Sequence, residues 1–322
     1  MPVEAVNSPP TGTDFVRPFL LEVSGLLGRL VRLGSVVDTV LTRHDYPEPV
    51  ARLLGELLAL TGTLSSMLKF EGTFSLQIKG DGPVSLMLAD VTSERGLRGY
   101  ADIDQSRLDG VLAERGPDAA GCAALLGTGY MAFTVDVAGQ TESYQGIVEL
   151  VGENLADCVH HYFRQSEQLK TGLKLAANRV DGRWRAGGLL IQQMPEDDRG
   201  WVPGGGPDDH DGGALGSGDE DDWRRTLAFM ASCSDAELID EELPADDLLY
   251  RLFHEERVRV YKTRSLSLGC RCSRERIERI LGSLPLDEVA ELKVDGEIVM
   301  TCQFCNIDFR FDETALESIY AS

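Results

Sequence analysis

The chain has 322 residues, about twice the usual length of one domain, so two or more domains are expected. Its 43% hydrophobic and 26% charged residues are ordinary globular material, but 53 Asp+Glu against 31 Lys+Arg leave a formal net charge of -22. That balance excludes the cationic surface that nucleic acid and anionic membranes require, so neither is an expected partner, and it favours solubility.

Residues 1–13 are polar and contain prolines, which reads as a disordered tail. No basic stretch leads there into an apolar one, so a signal peptide is not expected and a cytoplasmic location is. From Phe15 to Leu33 the pattern alternates loosely enough for strand, with Gly25, Gly28 and Gly34 at bends or edges. Pro47 suits a helix start. Beyond it Val50, Leu53, Leu54, Leu57, Leu58, Leu64, Met67 and Leu68 recur at helical spacing and predict a long helix with a buried face. Its most apolar run, Leu53 to Leu60, is interrupted by Glu56 and is too short to span a bilayer.

Phe74, Leu76 and Ile78 then alternate with polar residues, Asp81-Gly82 marks a hairpin, and Val84 to Leu88 is the returning strand. Further strands are expected near 97–103, 130–137 and 144–150, and a helix over 153–166. A second hairpin runs from Lys174–Val180 through Asp181-Gly182 to Trp184–Gln193. The fold class is α+β, with an N-terminal antiparallel sheet and packed helices over residues 14–195.

Composition changes after Pro195. Glu196 to Asp222 holds ten acidic residues and eight glycines with almost no apolar content, so residues 196–222 are expected to be disordered. Apolar residues return among charges from Trp223 to Tyr261, including Leu227, Met230, Leu238, Leu248, Leu249 and Phe253, which predicts a helical linker over 223–261. Residues 262–322 form a small C-terminal domain that carries two cysteine pairs.

The chain has 7 cysteines, an odd number, and four lie in those pairs. Without an export signal this points to reduced thiols plus a metal or redox site. GCRCSRER carries Cys270 and Cys272, and MTCQFCN carries Cys302 and Cys305. Zinc takes four nitrogen or sulfur ligands in a tetrahedron, commonly two from each of two knuckles. The spacing of Cys302 and Cys305 lets both sulfurs face one metal; Cys270 and Cys272 are closer, a less common arrangement. One Zn2+ per chain on Cys270, Cys272, Cys302 and Cys305 is the expected site. Asp295-Gly296 begins a hairpin that would carry the second pair, and backbone N–H groups near Gln303, Phe304 and Arg271 would bond the sulfurs.

Ser273 is placed to cap a helix RERIERIL, aiming its N-terminal dipole at the first pair, and Arg271, Arg274, Arg276 and Arg279 would offset thiolate charge. Positive surroundings lower a thiol pKa, and the thiolate is the form oxidants attack. Such a site suits a structural metal and oxidation alike. The plainer reading is a structural zinc ribbon; a thioredoxin-like CxxC reductase lacks its βαβ context here. Cys122, Cys158 and Cys233 are isolated on apolar or helical stretches and read as packed core thiols.

With these motifs in order, the sequence resembles the heat shock protein 33 family of redox-regulated bacterial holdase chaperones. The resemblance is carried by GCRCSRER at 269–276, the CxxC at 302–305 and HEERVRVY at 254–261. HDYPEPV at 44–50, LKFEGTFSLQIKGDGPV at 68–84, YQGIVEL at 144–150, YFRQSEQL at 162–169 and GGLLIQ at 187–192 extend it, in order, across residues 14 to 320. It implies an ATP-independent chaperone that holds unfolded or partly folded client proteins during heat and oxidative stress and passes them to ATP-dependent foldases. The four cysteines would bind zinc when reduced. Oxidised, they would pair as Cys270–Cys272 and Cys302–Cys305, with zinc release, linker unfolding and formation of a homodimer. The segment 196–222 is longer and more acidic than the family linker, and the tail before Asp14 has no counterpart.

Ordinary catalysis is not expected. His44, His160, His161, His210 and His254 show no HExxH spacing, and no GxSxG or Walker pattern occurs. The alternative functions are a zinc-ribbon interaction protein and a disulfide-exchange protein.

Overall fold

The first two strands, β1 (Phe15–Leu21) and β2 (Leu26–Leu33), pair antiparallel, and nearly every residue in both is buried. Alternation in the sequence is loose because both faces of this ribbon are covered, so apolar residues are needed on each. Val16, Val31 and Leu33 belong to one core, and Phe15, Phe19, Leu26 and Leu30 to another on the opposite face.

In this computed structural model, residues 13–116, 121–137, 143–163, 169–193, 219–294 and 296–321 are described. They fall into two compact units, Met1–Leu268 and Gly269–Ser322. After β2 come α1 (Ser35–Arg43), α2 (Glu48–Ser65), β3 (Gly72–Gly80), β4 (Val84–Thr92), β5 (Gly96–Ile103), α3 (Gln105–Arg115) and α4 (Cys122–Leu126). Next are β6 (Gly129–Val137), β7 (Tyr144–Glu149), α5 (Leu155–Tyr162), β8 (Thr171–Val180) and β9 (Arg183–Gln193). The first unit ends with α6 (Glu220–Ser232), α7 (Asp235–Ile239), α8 (Ala245–Phe253), β10 (Val258–Val260), β11 (Arg264–Ser265) and β12 (Ser267–Leu268).

These strands make two sheets. One runs β10-β1-β2-β9-β8 with β11 also on β1; the other runs β12-β5-β4-β3-β6-β7. All pairings are antiparallel except β12 on β5. Helix α2 lies between the sheets, and all of it is buried except Glu48, Arg52 and Glu56. The expected single buried face is thus a helix buried almost all round. Helix α1 gave no signal because its cap is remote: the Asp14 carboxylate accepts from the N–H groups of Gly34, Ser35 and Val36 at 2.9–3.1 Å.

Helices α6–α8 cover the other face of the first sheet, where Trp223, Met230, Leu238, Leu249 and Phe253 join Phe19, Leu30, Leu189 and Ile191. The Phe19 ring stacks on Phe253 at 5.9 Å and lies over Gly28, where a Cβ would come within 2.0 Å of it. Charges border the contact. Arg17, 3% exposed, grips Asp246 with both nitrogens, at 2.8 Å through Nε. Arg32 donates to the carbonyls of Glu237, Leu238 and Leu243, and Lys174 pairs with Asp235 at 2.8 Å. Glu256, fully buried, accepts from Arg225 at 2.7 Å.

Two expected boundaries move. Residues 219–222 belong to α6: Asp219 caps it and Glu220–Asp222 form its first turn, so only 196–218 of the acidic segment remains, which lies outside the described residues, as do 1–12 of the tail. The second unit begins at Gly269 rather than 262, because residues 258–268 are strands of the two sheets and not the end of a helical linker. That unit contains α9 (Arg274–Leu281), α10 (Leu286–Glu291), the hairpin β13 (Ile298–Thr301) and β14 (Asp308–Phe311), and α11 (Glu313–Ala321). Among the described residues its core is Ile277, Leu281, Val289, Ile298, Phe311 and Leu316.

Candidate metal centre

The β13–β14 hairpin is joined by a knuckle rather than a two-residue turn. The Cys302 N–H donates to the Ile307 carbonyl at 3.0 Å, and the Asn306 N–H donates back to the Cys302 carbonyl at 2.8 Å. Asn306 takes a φ of 53°, a left-handed conformation that asparagine tolerates, and so closes the loop behind Cys305. The knuckle sits at the top of the hairpin, between β13 and β14. Ser273 caps α9 by accepting from the Arg276 N–H at 3.2 Å, which places Cys270 and Cys272 immediately before the helix N-terminus.

These two devices bring four sulfurs together. Sγ of Cys270 lies 3.2 Å from that of Cys272 and 3.6 Å from that of Cys302, and Cys272 Sγ lies 3.4 Å from Cys305 Sγ. All four ligand atoms fall within 4.8 Å of one another. A disulfide needs about 2.05 Å, so all are free thiols. Zinc–sulfur bonds of about 2.3 Å in a tetrahedron would set sulfurs about 3.8 Å apart, so the donor set fits such an ion with a small expansion. Cys305 is buried and the other three are half-buried, which shields the cluster while leaving it reachable.

The electrostatics follow from crowding. Burial raises the Cys270 thiol, but the Cys272 N–H and the three neighbouring sulfurs outweigh it and hold Cys270 down at about 7. Cys272 and Cys305 are pushed up, first by burial; for Cys272 the sulfur neighbours push the same way. The Ile307 N–H bonds the Cys305 sulfur. Of the arginines expected to offset the thiolate charge, Arg274 is engaged elsewhere. The Arg274 guanidinium lies 4.5 Å from the Phe311 ring centre, pairs with Glu278 at 3.0 Å and donates to the Arg310 carbonyl at 3.1 Å.

The isolated cysteines stand where core thiols stand. Cys122, Cys158 and Cys233 are buried, and burial pushes Cys122 up to about 12 and Cys233 up to about 11. No histidine joins the cluster among the described residues. His160 Nε2 accepts from the Leu173 N–H at 3.2 Å, His44 stacks on Tyr46, His254 lies against Tyr250, and His210 is outside the described residues.

A family model described as Hsp33 protein matches residues 14–312. The chain belongs to the Hsp33 family. A 33 kDa chaperonin of Caulobacter vibrioides is 39% identical over 312 residues, covering 95% of this chain and 97% of that one. A 33 kDa chaperonin of Pseudomonas fluorescens is 37% identical over 315 residues, covering 96% and 94%. The crystal structure of the 33 kDa chaperonin (Hsp33 homolog) from Thermotoga maritima superposes with a TM-score of 0.75 at 20% identity, over 96% of this chain and 98% of that one, which shows the shared fold. Membership of Hsp33 makes this chain a chaperone whose cysteine cluster could hold a metal ion. No helix of this Hsp33 chain, among the described residues, is long and apolar enough to cross a membrane.

What sequence reasoning missed is the charged border of the α6–α8 contact. Arg17 and Arg32 occupy inward positions of apolar strands, and a cation at such a position was the available signal.

Proposed function

We propose that the chain is a redox-regulated, ATP-independent holdase of the cytoplasm. The observation that carries it is the convergence of Cys270, Cys272, Cys302 and Cys305 as free thiols within 4.8 Å. Zinc bound there would supply a closed structural cross-link between the start of the second unit and its hairpin. Among the described residues that unit buries six core side chains, and a small core of this kind gives about 3–5 kcal/mol, against roughly 10–16 kcal/mol for a structural zinc site.

Oxidation removes the donors. For each disulfide, Cys270–Cys272 or Cys302–Cys305, two thiolates pass two electrons to hydrogen peroxide, which takes up two protons and leaves as two waters. Disulfides that close loops this short restore little stability. The second unit then unfolds, and helices α6–α8 release the apolar face of the first sheet. Phe19, Leu26, Leu30, Leu189 and Ile191 would there meet unfolded or partly folded client proteins. The net charge of -22 keeps such complexes soluble until ATP-dependent foldases take the client, and the oxidised chain works as a homodimer.

The test combines a zinc-sensitive dye with light scattering on a thermally unfolding client. Peroxide at mild heat is expected to release one zinc per chain and to suppress aggregation in parallel. Zinc release without suppression, or suppression by the reduced protein at full strength, would sink the reading.

A further inference from the structure

Many cations of this acidic chain pair with carboxylates, but among the described residues Arg29, Arg95 and Arg264 do not. Arg29, on β2, is 3% exposed; one nitrogen donates to the Gly28 carbonyl at 2.8 Å, and its Nε has no hydrogen-bond partner. Arg264, on β11, has one long contact, 3.5 Å to the Ser66 carbonyl at the end of α2. Arg95, in the turn from β4 to β5, is exposed and makes no side-chain ion pair among the described residues. Its φ of 68° is uncommon for any residue but glycine, asparagine or aspartate.

The three belong together. Val16 pairs with Arg264 on one side and Val31 on the other, and Arg29 lies two residues along β2 from Val31, on the same face. Burial and the charge of Arg95 hold Arg264 below the ordinary arginine value, and burial and then Arg264 lower Arg29 to about 10. A buried charge without a counterion is costly, and Arg29 is such a charge, with the half-buried Arg264 beside it. The carboxylate at this spot, Glu71, is exposed and pairs with none of the three arginines among the described residues, so an external anion can supply their counter-charge.

A cavity lies there. Arg95 and Arg264 line a space of about 580 Å3 together with Lys69, Ser66 and Ser93, and Glu71 stands on its wall. Its size falls within the roughly 300–1,000 Å3 typical of small-molecule sites. Guanidinium forks match the oxygens of a phosphate. We propose that this cavity binds a phosphate group, free or ester-borne, held by Arg95 and Arg264 with Arg29 reinforcing the charge from behind. The anion would tie the end of α2 and the β4–β5 turn to β11, whose segment continues into β12 and so joins the two sheets.

The experiment is isothermal titration of the reduced full-length protein with inorganic phosphate, tripolyphosphate and adenosine monophosphate, ionic strength matched with sodium chloride. Saturable binding of at least one is expected, weakened at least tenfold by Arg264→Gln and by Arg95→Gln. Tighter binding of inorganic phosphate or tripolyphosphate assigns the site to free phosphates, and tighter binding of the monophosphate assigns it to an ester. Arg95 is exposed, so Arg95→Gln remains decisive even if Arg264→Gln does not fold. Absence of saturable binding by all three, or binding unchanged in Arg95→Gln, overturns the proposal.

Discussion

The two units of this chain are stabilised by different physics. In the first, a sheet covered on both faces and a helix enclosed between sheets bury dozens of apolar side chains. In the second, six side chains form the core among the described residues, and four thiols crowd together beside the hairpin. A region held by burial resists chemistry, because no single bond carries it. If the four thiols hold an ion, as proposed, the second region fails when those ligands are oxidised, and that contrast is what the proposed redox switch requires.

The contrast breaks most directly at the metal. Chelator treatment of the reduced protein is expected to abolish dispersed amide signals from residues 269–322 while those of the β1–β2–β9 sheet persist; the loss corresponds to roughly 10 kcal/mol or more for the second unit. Persistence of both sets would show that the apolar core of the second unit suffices. Next in size, Phe253→Ala removes the ring stacked on Phe19 and should cost about 3–5 kcal/mol in urea unfolding of the first unit. If α6–α8 are the releasable layer, the same variant should suppress client aggregation at lower peroxide than the parent.

Gly28→Ala sharpens the same contact. Its Cβ would meet the Phe19 ring at 2.0 Å, so the ring must move and the expected loss is about 1–3 kcal/mol, read as a lower urea midpoint. The smallest effect tests α2. Glu56 is pushed up to about 7, first by burial, then by Asp235, with Arg52 opposing. A carboxyl whose pKa is raised on folding favours the folded state below its unfolded value near 4.5, and that contribution is lost as pH rises through about 7. Glu56→Gln should therefore be more stable relative to the parent at pH 8 than at pH 5, where most of the gain is gone. An equal difference at both pH values would show that the carboxylate stays ionised.

The cysteine pairs, the Ser273 cap, both hairpins of the α+β unit and the helix after Pro47 were legible because each rests on spacing or local chemistry within a few residues. Helix α1 was not, because its β-branched sequence is capped by Asp14 from across the first hairpin. The linker's end at 261 was misjudged for a related reason: Val258–Val260 becomes a strand only by pairing with β1, more than 200 residues earlier.

Sequence alone therefore picked out the four thiols that converge at the candidate site, because residue type and knuckle spacing are local properties of the chain. Tertiary structure decided what surrounds it and what is hidden. It enclosed α2 between two sheets, laid α6–α8 over the apolar face of β1, β2 and β9, and set Arg274 on Phe311 rather than among the thiols. Those outcomes depend on which surfaces meet after folding, and burial of that kind leaves in the sequence only a demand for apolar residues, not the identity of the partner.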